Sequence, residues 1–314
     1  MHRDSIDDLR KLFVGLDKKV NINGKGRIVP INFDNAATTP PFKRVVKRVL
    51  ETTEYYGSIA RGDGQKSQYC SDLYEECRRY ILKYFNAPEE IYTAIFVGNT
   101  TDGLNKLSNI LINNKEDIVI TTRMEHHSND LPWRNKCDLK YVEVNEDGRI
   151  NINEIEELIE RYKEKVKYIT ITGASNVTGY INDIRKISGL IHKYGGKIIV
   201  DGAQLVPHKK ICMYKKDSLE NIDFLVFSGH KIYAPFGSGA IIGLREDFNN
   251  NLPDTKGGGT VEYVIDNNQL WLNTPEKNEA GTPNLFGAVA IMEAMKEIEK
   301  IGFERIEKNE KELL

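Results

Sequence analysis

The chain has 314 residues, 40% hydrophobic and 29% charged, with 44 Lys and Arg against 46 Asp and Glu and a formal net charge of −2. That length suits about two domains and a sizeable core, and the composition excludes wholesale disorder and collagen-like structure. The balanced charge gives no electrostatic footprint for nucleic acid, and no run of about 18 apolar residues reads as a membrane helix.

In chain order, the charged start Met1-His2-Arg3-Asp4 lacks the apolar stretch of a secretory signal, so a cytoplasmic address is expected. A helix is predicted over Lys66–Phe85, followed by a strand at Thr93–Val97 and a helix at Thr101–Ile112. Strands at Asp117–Thr121 and Leu139–Val144 lead to a helix over Ile152–Lys165. Then come a strand at Val166–Ile171, a helix at Ile184–Tyr194, and strands at Lys197–Asp201, Ile222–Phe227 and Ala240–Leu244. Unbroken runs such as Lys197-Ile198-Ile199-Val200 suit strands buried on both faces. The alternation of strand and helix predicts an α/β domain with a mostly parallel sheet. One antiparallel member is expected where the last two strands follow each other with little helix between. Asp247–Gly259, rich in Asn and Gly, reads as a surface loop. The tail from Phe286 reads as helical, with Gly302 dividing it. Cys70, Cys77, Cys137 and Cys212 form no C-x-x-C pair and read as reduced, mostly buried thiols. No metal site is expected.

Five polar motifs follow five of these strands. Lys231 lies in Ser228-Gly229-His230-Lys231, where a lysine amine can form a Schiff base with a carbonyl once its surroundings lower its pKa. Ser228 and His230 are able to hold an anion beside it. Asp201 ends an apolar strand and is suited to keep a pyridine nitrogen protonated, with Gln204 three residues on. Thr100 and Thr101 open a helix whose free N–H groups and dipole attract phosphate. His126, in Glu125-His126-His127-Ser128-Asn129, is placed to stack on a ring and shuttle protons. Asn176 lies in the turn Ala174–Gly179. Each motif alone has a plainer explanation: a solvated lysine, helix caps, a surface histidine pair, a polar turn. A shared rim at the carboxyl ends of the strands accounts for all five together.

These segments, with Phe33–Thr39 and Glu279–Asn284, fall in the order and near the spacing of a known family. The chain resembles class V aminotransferase-fold enzymes that use pyridoxal 5′-phosphate, and within them the Suf-type cysteine desulfurases and selenocysteine lyases. The resemblance implies the transferase fold type I, a mostly parallel sheet with helices on both faces. It implies an N-terminal segment over 1–30, a large coenzyme-binding domain over 31–285, and a connecting helix over 286–314 leading to a smaller domain that is missing.

By the same resemblance Lys231 binds the coenzyme covalently and moves the substrate α-proton. Asp201 pairs with the pyridine nitrogen, Gln204 with the phenolic oxygen, and His126 stacks on the ring. Thr100, Thr101, Ser228 and His230 hold the phosphate, and Thr282 reaches the phosphate of a neighbouring subunit in a homodimer. Ala36, Asn176 and Arg61 lie beside a small amino-acid substrate. The implied activity converts L-cysteine to L-alanine, with sulfur passed to an enzyme thiol and then to an acceptor protein, commonly for iron–sulfur cluster assembly. Two departures stand out. Ala60 occupies a position where Suf-type members usually carry histidine. The family's nucleophilic cysteine loop and its carboxylate-clamping arginine belong to the smaller domain, and none of the four cysteines occupies the nucleophile's position. Other class V activities on an amino acid (transamination, epimerisation, C–S or C–Se lysis) remain alternatives, as does a coenzyme-binding fragment without turnover.

Overall fold

A computed structural model of the chain describes residues 9–24, 26–59 and 62–313. They fall into two compact units. One gathers residues up to Cys77, Gly229–Ser238 and residues from Leu285 onward; the other comprises Arg78–Ser228 and Gly239–Asn284.

In the first unit a small hairpin, β1 (Val20–Ile22) and β2 (Gly26–Ile28), precedes helix α1 (Lys43–Thr53) and helix α2 (Gln65–Tyr84), whose Arg78 begins the second unit's share. The start of α1 is anchored by aromatic rings. Phe13 and Phe42 stack at 4.9 Å, and Tyr233 lies 4.6 Å from Phe42. Val45 and Val49 of α1 are buried, and Arg44 bonds Glu293 at 2.7 Å on the terminal helical pair.

The second unit holds the main sheet. Its strands are β3 (Tyr92–Val97), β4 (Ile118–Thr122), β5 (Asp138–Val142), β6 (Val166–Thr172), β7 (Lys197–Asp201), β8 (Phe224–Ser228) and β9 (Gly239–Leu244). Between them run α3 (Thr100–Leu111), α4 (Ile152–Tyr162) and α5 (Ile184–His192). The strand order is β3-β9-β8-β7-β6-β4-β5. Only β9 is antiparallel to its neighbours β3 and β8; the β4–β5, β4–β6, β6–β7 and β7–β8 pairs are parallel.

Alternation along β8 shows how both faces are covered. Phe224 and Val226 join a core with Leu104, Leu107 and Ile110 of α3, while Phe227, on the other face, meets the Phe85 ring at 5.6 Å just past α2. Strands buried on both sides need mostly apolar residues, and β8 is apolar from Phe224 to Phe227, with Ser228 at its end. A second hairpin follows, β10 (Val261–Ile265) and β11 (Asn268–Trp271), joined by Asp266-Asn267. The chain then forms α6 (Leu285–Ile301) and α7 (Phe303–Leu313), separated by Gly302 at φ +83°. That left-handed conformation suits glycine and ends α6 where the sequence predicts a break.

The sequence expectations hold to within a residue or two for the seven sheet strands and for α2, α3 and α5. Helix α4 stops at Tyr162, and a 3-10 turn takes Lys163–Lys165. Asp247–Gly259 is not a plain surface loop. Arg245–Asn250 is a short helix, Phe248 is fully buried edge-on to Phe224, and Asp254 pairs with Lys106 at 2.6 Å. One aromatic side chain outweighs the polar average of its neighbours, because it removes more apolar area from water than they lose. Cys70 and Cys77 are buried as expected, whereas Cys137 and Cys212 are half-buried. Helix α1 and both hairpins lie outside the sequence expectations.

Candidate active site

Because all but β9 of the sheet strands run the same way, β3, β4, β6, β7 and β8 end at one edge of the second unit. Register makes this concrete: Thr172 pairs with Asp201, Asp201 with Val226, and Ser228 and Val97 both with Gly239. The motifs after β3, β4, β6 and β7 therefore leave the sheet at one edge of the second unit.

After β3, Asn99 is extended and caps α3, its Oδ1 accepting from the Asp102 N–H at 2.9 Å. Thr100 is buried, and its N–H donates to Ser228 Oγ at 2.8 Å. Its Oγ1 shares a second hydrogen bond with Ser228 Oγ at 2.7 Å. Two of the predicted anion-holding residues are thus joined directly, at the positive end of a 12-residue helix. Thr101 is exposed, and its Oγ1 lies 2.7 Å from Ser128 Oγ.

After β4, Glu125 turns inward. Its carboxylate accepts from Asn129 Nδ2 at 2.6 Å and from Thr122 Oγ1 at 2.7 Å. Asn129 is itself fixed, its Oδ1 accepting from Trp133 Nε1 at 3.3 Å and from Thr170 Oγ1. Burial pushes the Glu125 carboxyl up to about 8, against the pull of these donors, and the charge of Asp201 adds in the same direction. His126 is exposed. Its Nδ1 accepts from the Ser128 N–H at 3.1 Å and lies 2.9 Å from Ser128 Oγ. The His127 ring lies 6.1 Å from that of His126, tilted 47° to it.

After β6, Asn176 is exposed in a turn whose N–H groups at Val177 and Thr178 both donate to Ser175 Oγ. At the end of β7, Asp201 is 3% exposed, and its Oδ1 accepts from the Ala203 N–H at 2.9 Å. Gln204 follows, half-buried.

Lys231 and His230 belong to the first unit, in the 3-10 turn Gly229–Lys231. Both are half-buried. There the His230 carbonyl accepts from Thr39 N–H at 3.0 Å and Thr39 Oγ1 at 2.9 Å, and its Nδ1 lies 3.2 Å from Thr38 Oγ1. Burial and the neighbouring Lys231 charge hold the His230 imidazole below its usual value. The motif around Ala36, exposed in a turn where Asp34 Oδ1 accepts from Ala37 N–H, is thereby tied to the lysine turn. Thr282 is exposed after Gly281, which sits at φ +88°. Arg61 and Ala60 lie outside the described residues.

Three residues without a role in the sequence reading shape this region. Glu125 and Ser128 flank His126. Glu279 forms a two-pronged pair with buried Arg78, at 2.9 and 3.0 Å, and accepts the Phe96 N–H at 2.7 Å, while Arg78 donates to the Ala94 carbonyl. The pair thus satisfies backbone groups along edge strand β3. The i, i+4 spacing of Glu125 and Asn129 was the one local signal for the first of these.

The profile of class-V aminotransferases matches residues 31–314. The chain belongs to the class-V aminotransferase family. Among class-V relatives, a protein described as a probable cysteine desulfurase in Borreliella burgdorferi is 37% identical, over 99% of this chain and 74% of its own length. A cysteine desulfurase of Wigglesworthia glossinidia brevipalpis is 33% identical, over 98% of this chain and 75% of its own. The apo structure of a cysteine desulfurase from Thermococcus onnurineus superposes with a TM-score of 0.80 at 32% identity, covering 88% of this chain and 69% of that one. The class-V fold expected from the resemblance, an α/β sheet with helices on both faces, is the one observed.

Proposed function

We propose that the protein is a pyridoxal-phosphate-dependent cysteine desulfurase that acts as a homodimer, converts L-cysteine to L-alanine and passes the sulfur to a thiol and then to an acceptor protein. The observation that carries the reading is the similarity to proteins named cysteine desulfurases across nearly all of the chain.

The donor set fits that coenzyme. The joined hydroxyls of Thr100 and Ser228 at the first turn of α3 suit a phosphate. Asp201, 3% exposed at the end of β7 with Oδ1 held by the Ala203 N–H, would offer a positioned carboxylate to a protonated ring nitrogen. When bound, pyridoxal phosphate supplies an electron sink for the charge left when the substrate α-proton departs. Asp201 would keep the proton on the ring nitrogen, and Gln204 would contact the phenolic oxygen. His126 would lie over the ring. Thr101 and His230 would join the phosphate donors, with Thr282 serving a second copy of the chain. Lys231 Nζ would anchor the coenzyme and carry the α-proton, while Ala36, Arg61 and Asn176 would orient the amino acid.

None of the four cysteines resembles an activated nucleophile. Cys70 and Cys77 are buried, and burial raises the Cys77 thiol far above its usual value. Burial raises Cys137 to about 11. Cys212 Sγ is engaged with Tyr214 O at 3.2 Å and Asn86 Nδ2 at 3.2 Å. A nucleophile wants the opposite, an exposed thiol in an electropositive setting.

Incubation with pyridoxal phosphate, L-cysteine and a thiol reductant is expected to release alanine and sulfide in equal amounts. Conversion of a different amino acid with no alanine would overturn the desulfurase assignment in favour of another class V activity. Borohydride reduction should fix the coenzyme on Lys231, and Lys231→Ala should abolish that label.

A further inference from the structure

A backbone amide can only donate a hydrogen bond. The Ser128 N–H points at His126 Nδ1 from 3.1 Å, so that His126 side chain caps the short helix His127–Asp130 by accepting. Ser128 Oγ lies 2.9 Å from the same nitrogen, and Thr101 Oγ1 lies 2.7 Å from Ser128 Oγ. Nδ1 is therefore bare, and a neutral ring must carry its proton on Nε2.

His192 provides the contrast. Its two nitrogens face the Leu219 carbonyl and, at 2.7 Å, the Asp223 carboxylate, so both must donate. The polarity of the partners thus differs: His126 Nδ1 accepts from an amide, whereas His192 Nδ1 faces a carbonyl and donates.

We infer that Ser128 is a positioning residue, which holds His126 as the Nε2–H tautomer and links it through hydroxyls to the first turn of α3. The inference rests on the reading that His126 and that turn serve the coenzyme.

The hydroxyl chain has two directions. Each hydroxyl owns one proton. When Thr101 donates to Ser128, Ser128 donates to His126 Nδ1, and the nitrogen receives two donors. When an anion at the first turn of α3 accepts a hydrogen bond from the Thr101 hydroxyl, Thr101 Oγ1 accepts from Ser128 instead. Nδ1 then keeps only the amide. No bond forms or breaks; two hydroxyls rotate. Anion occupancy at the helix is thereby passed to the electron density of the ring, while the tautomer, fixed by the amide, stays the same. Nε2 keeps its proton in either direction.

Nitrogen-15 NMR of the full chain labelled at histidine tests this without coenzyme or turnover. His126 is assigned by the signal lost in His126→Gln. At a pH where the ring is neutral, the expected pattern is a protonated Nε2 and an unprotonated Nδ1, with the Nδ1 resonance moving as inorganic phosphate is added. Ser128→Ala should keep the tautomer and lose the phosphate response, and Ser128→Thr should restore that response. A proton on Nδ1, an averaged pair of nitrogens, or a phosphate response absent in the unaltered chain or unchanged in Ser128→Ala overturns the inference. A wrong activity assignment would show separately, as missing alanine and an unlabelled Lys231 beside an intact Nε2–H signal.

Discussion

Folding raises the pKa values of Glu125 and His192 by different means. Glu125 is kept neutral chiefly by burial, with the Asp201 charge acting in the same direction. For His192, burial pulls the pKa down, but the Asp223 hydrogen bond and charge and the Leu219 carbonyl outweigh it, and the net shift is upward. Both pKa values rise on folding, so both contributions have one sign. Stability from Glu125 is complete below pH 4.5, its reference value, and is lost as pH climbs through about 8. Stability from His192 is complete below 6.5 and is lost as pH rises through its elevated folded value. Denaturant midpoints should therefore fall from pH 5 to 9. Glu125→Gln, which keeps the shape and cannot ionise, should remove a large part of that fall, on the order of a few kcal/mol between the extremes. A midpoint profile identical to that of the unaltered chain would refute the buried neutral carboxyl.

Helix α3 shows how one element is placed by two devices. Its start is set by the Asn99 cap and by the Thr100–Ser228 link. Its distance from the sheet is set by Gly103, where an added Cβ would lie 2.5 Å from Val226 Cγ1 and 3.2 Å from Ile241 Cγ1. Alanine would favour the helix by roughly 0.5–1 kcal/mol. Overpacking a dense core costs about 1–3 kcal/mol, so the clash wins. Gly103→Ala is expected to lower stability and to weaken phosphate binding at the first turn of α3. Calorimetry and phosphate titration of the variant check both, and an unchanged melting temperature would mean that helix and sheet have room to separate.

Across the second unit, the Arg78–Glu279 pair joins positions 201 apart in sequence and holds strand β3 between them. Both side chains are almost fully buried, at 6% and 8% exposure. Removing one partner strands the other charge away from water, which costs roughly 3–5 kcal/mol. Glu279→Ala should shift the urea midpoint down by that equivalent, and Glu279→Gln should lose less because it retains an acceptor for the Phe96 N–H. Since Glu279 opens the segment carrying Thr282, the same variants probe the assembly. A Glu279→Ala chain with the same oligomeric state as the unaltered chain, measured by light scattering, would separate this tie from the proposed role of Thr282.

The sequence by itself determined the seven strands of the sheet, the parallel sense of all but one, and the motifs that end at its edge. Continuous β-branched runs, alternating helices and polar turn residues are local signals, and their order along the chain carries the topology. It also carried the family, through Asp201, Lys231 and their neighbours. Only the tertiary structure decided what Glu125, Ser128, Asn129 and Glu279 do. Ser128 meets Thr101, Asn129 meets Thr170, and Glu279 meets Arg78 and Phe96, all distant along the chain, and a polar residue in a turn reads the same whether it meets water or a buried acceptor. The helix at Phe248 and the hairpin of β10 and β11 were hidden for a related reason: a short, mostly polar segment takes its shape from what it packs against or pairs with, and that is not written in its composition.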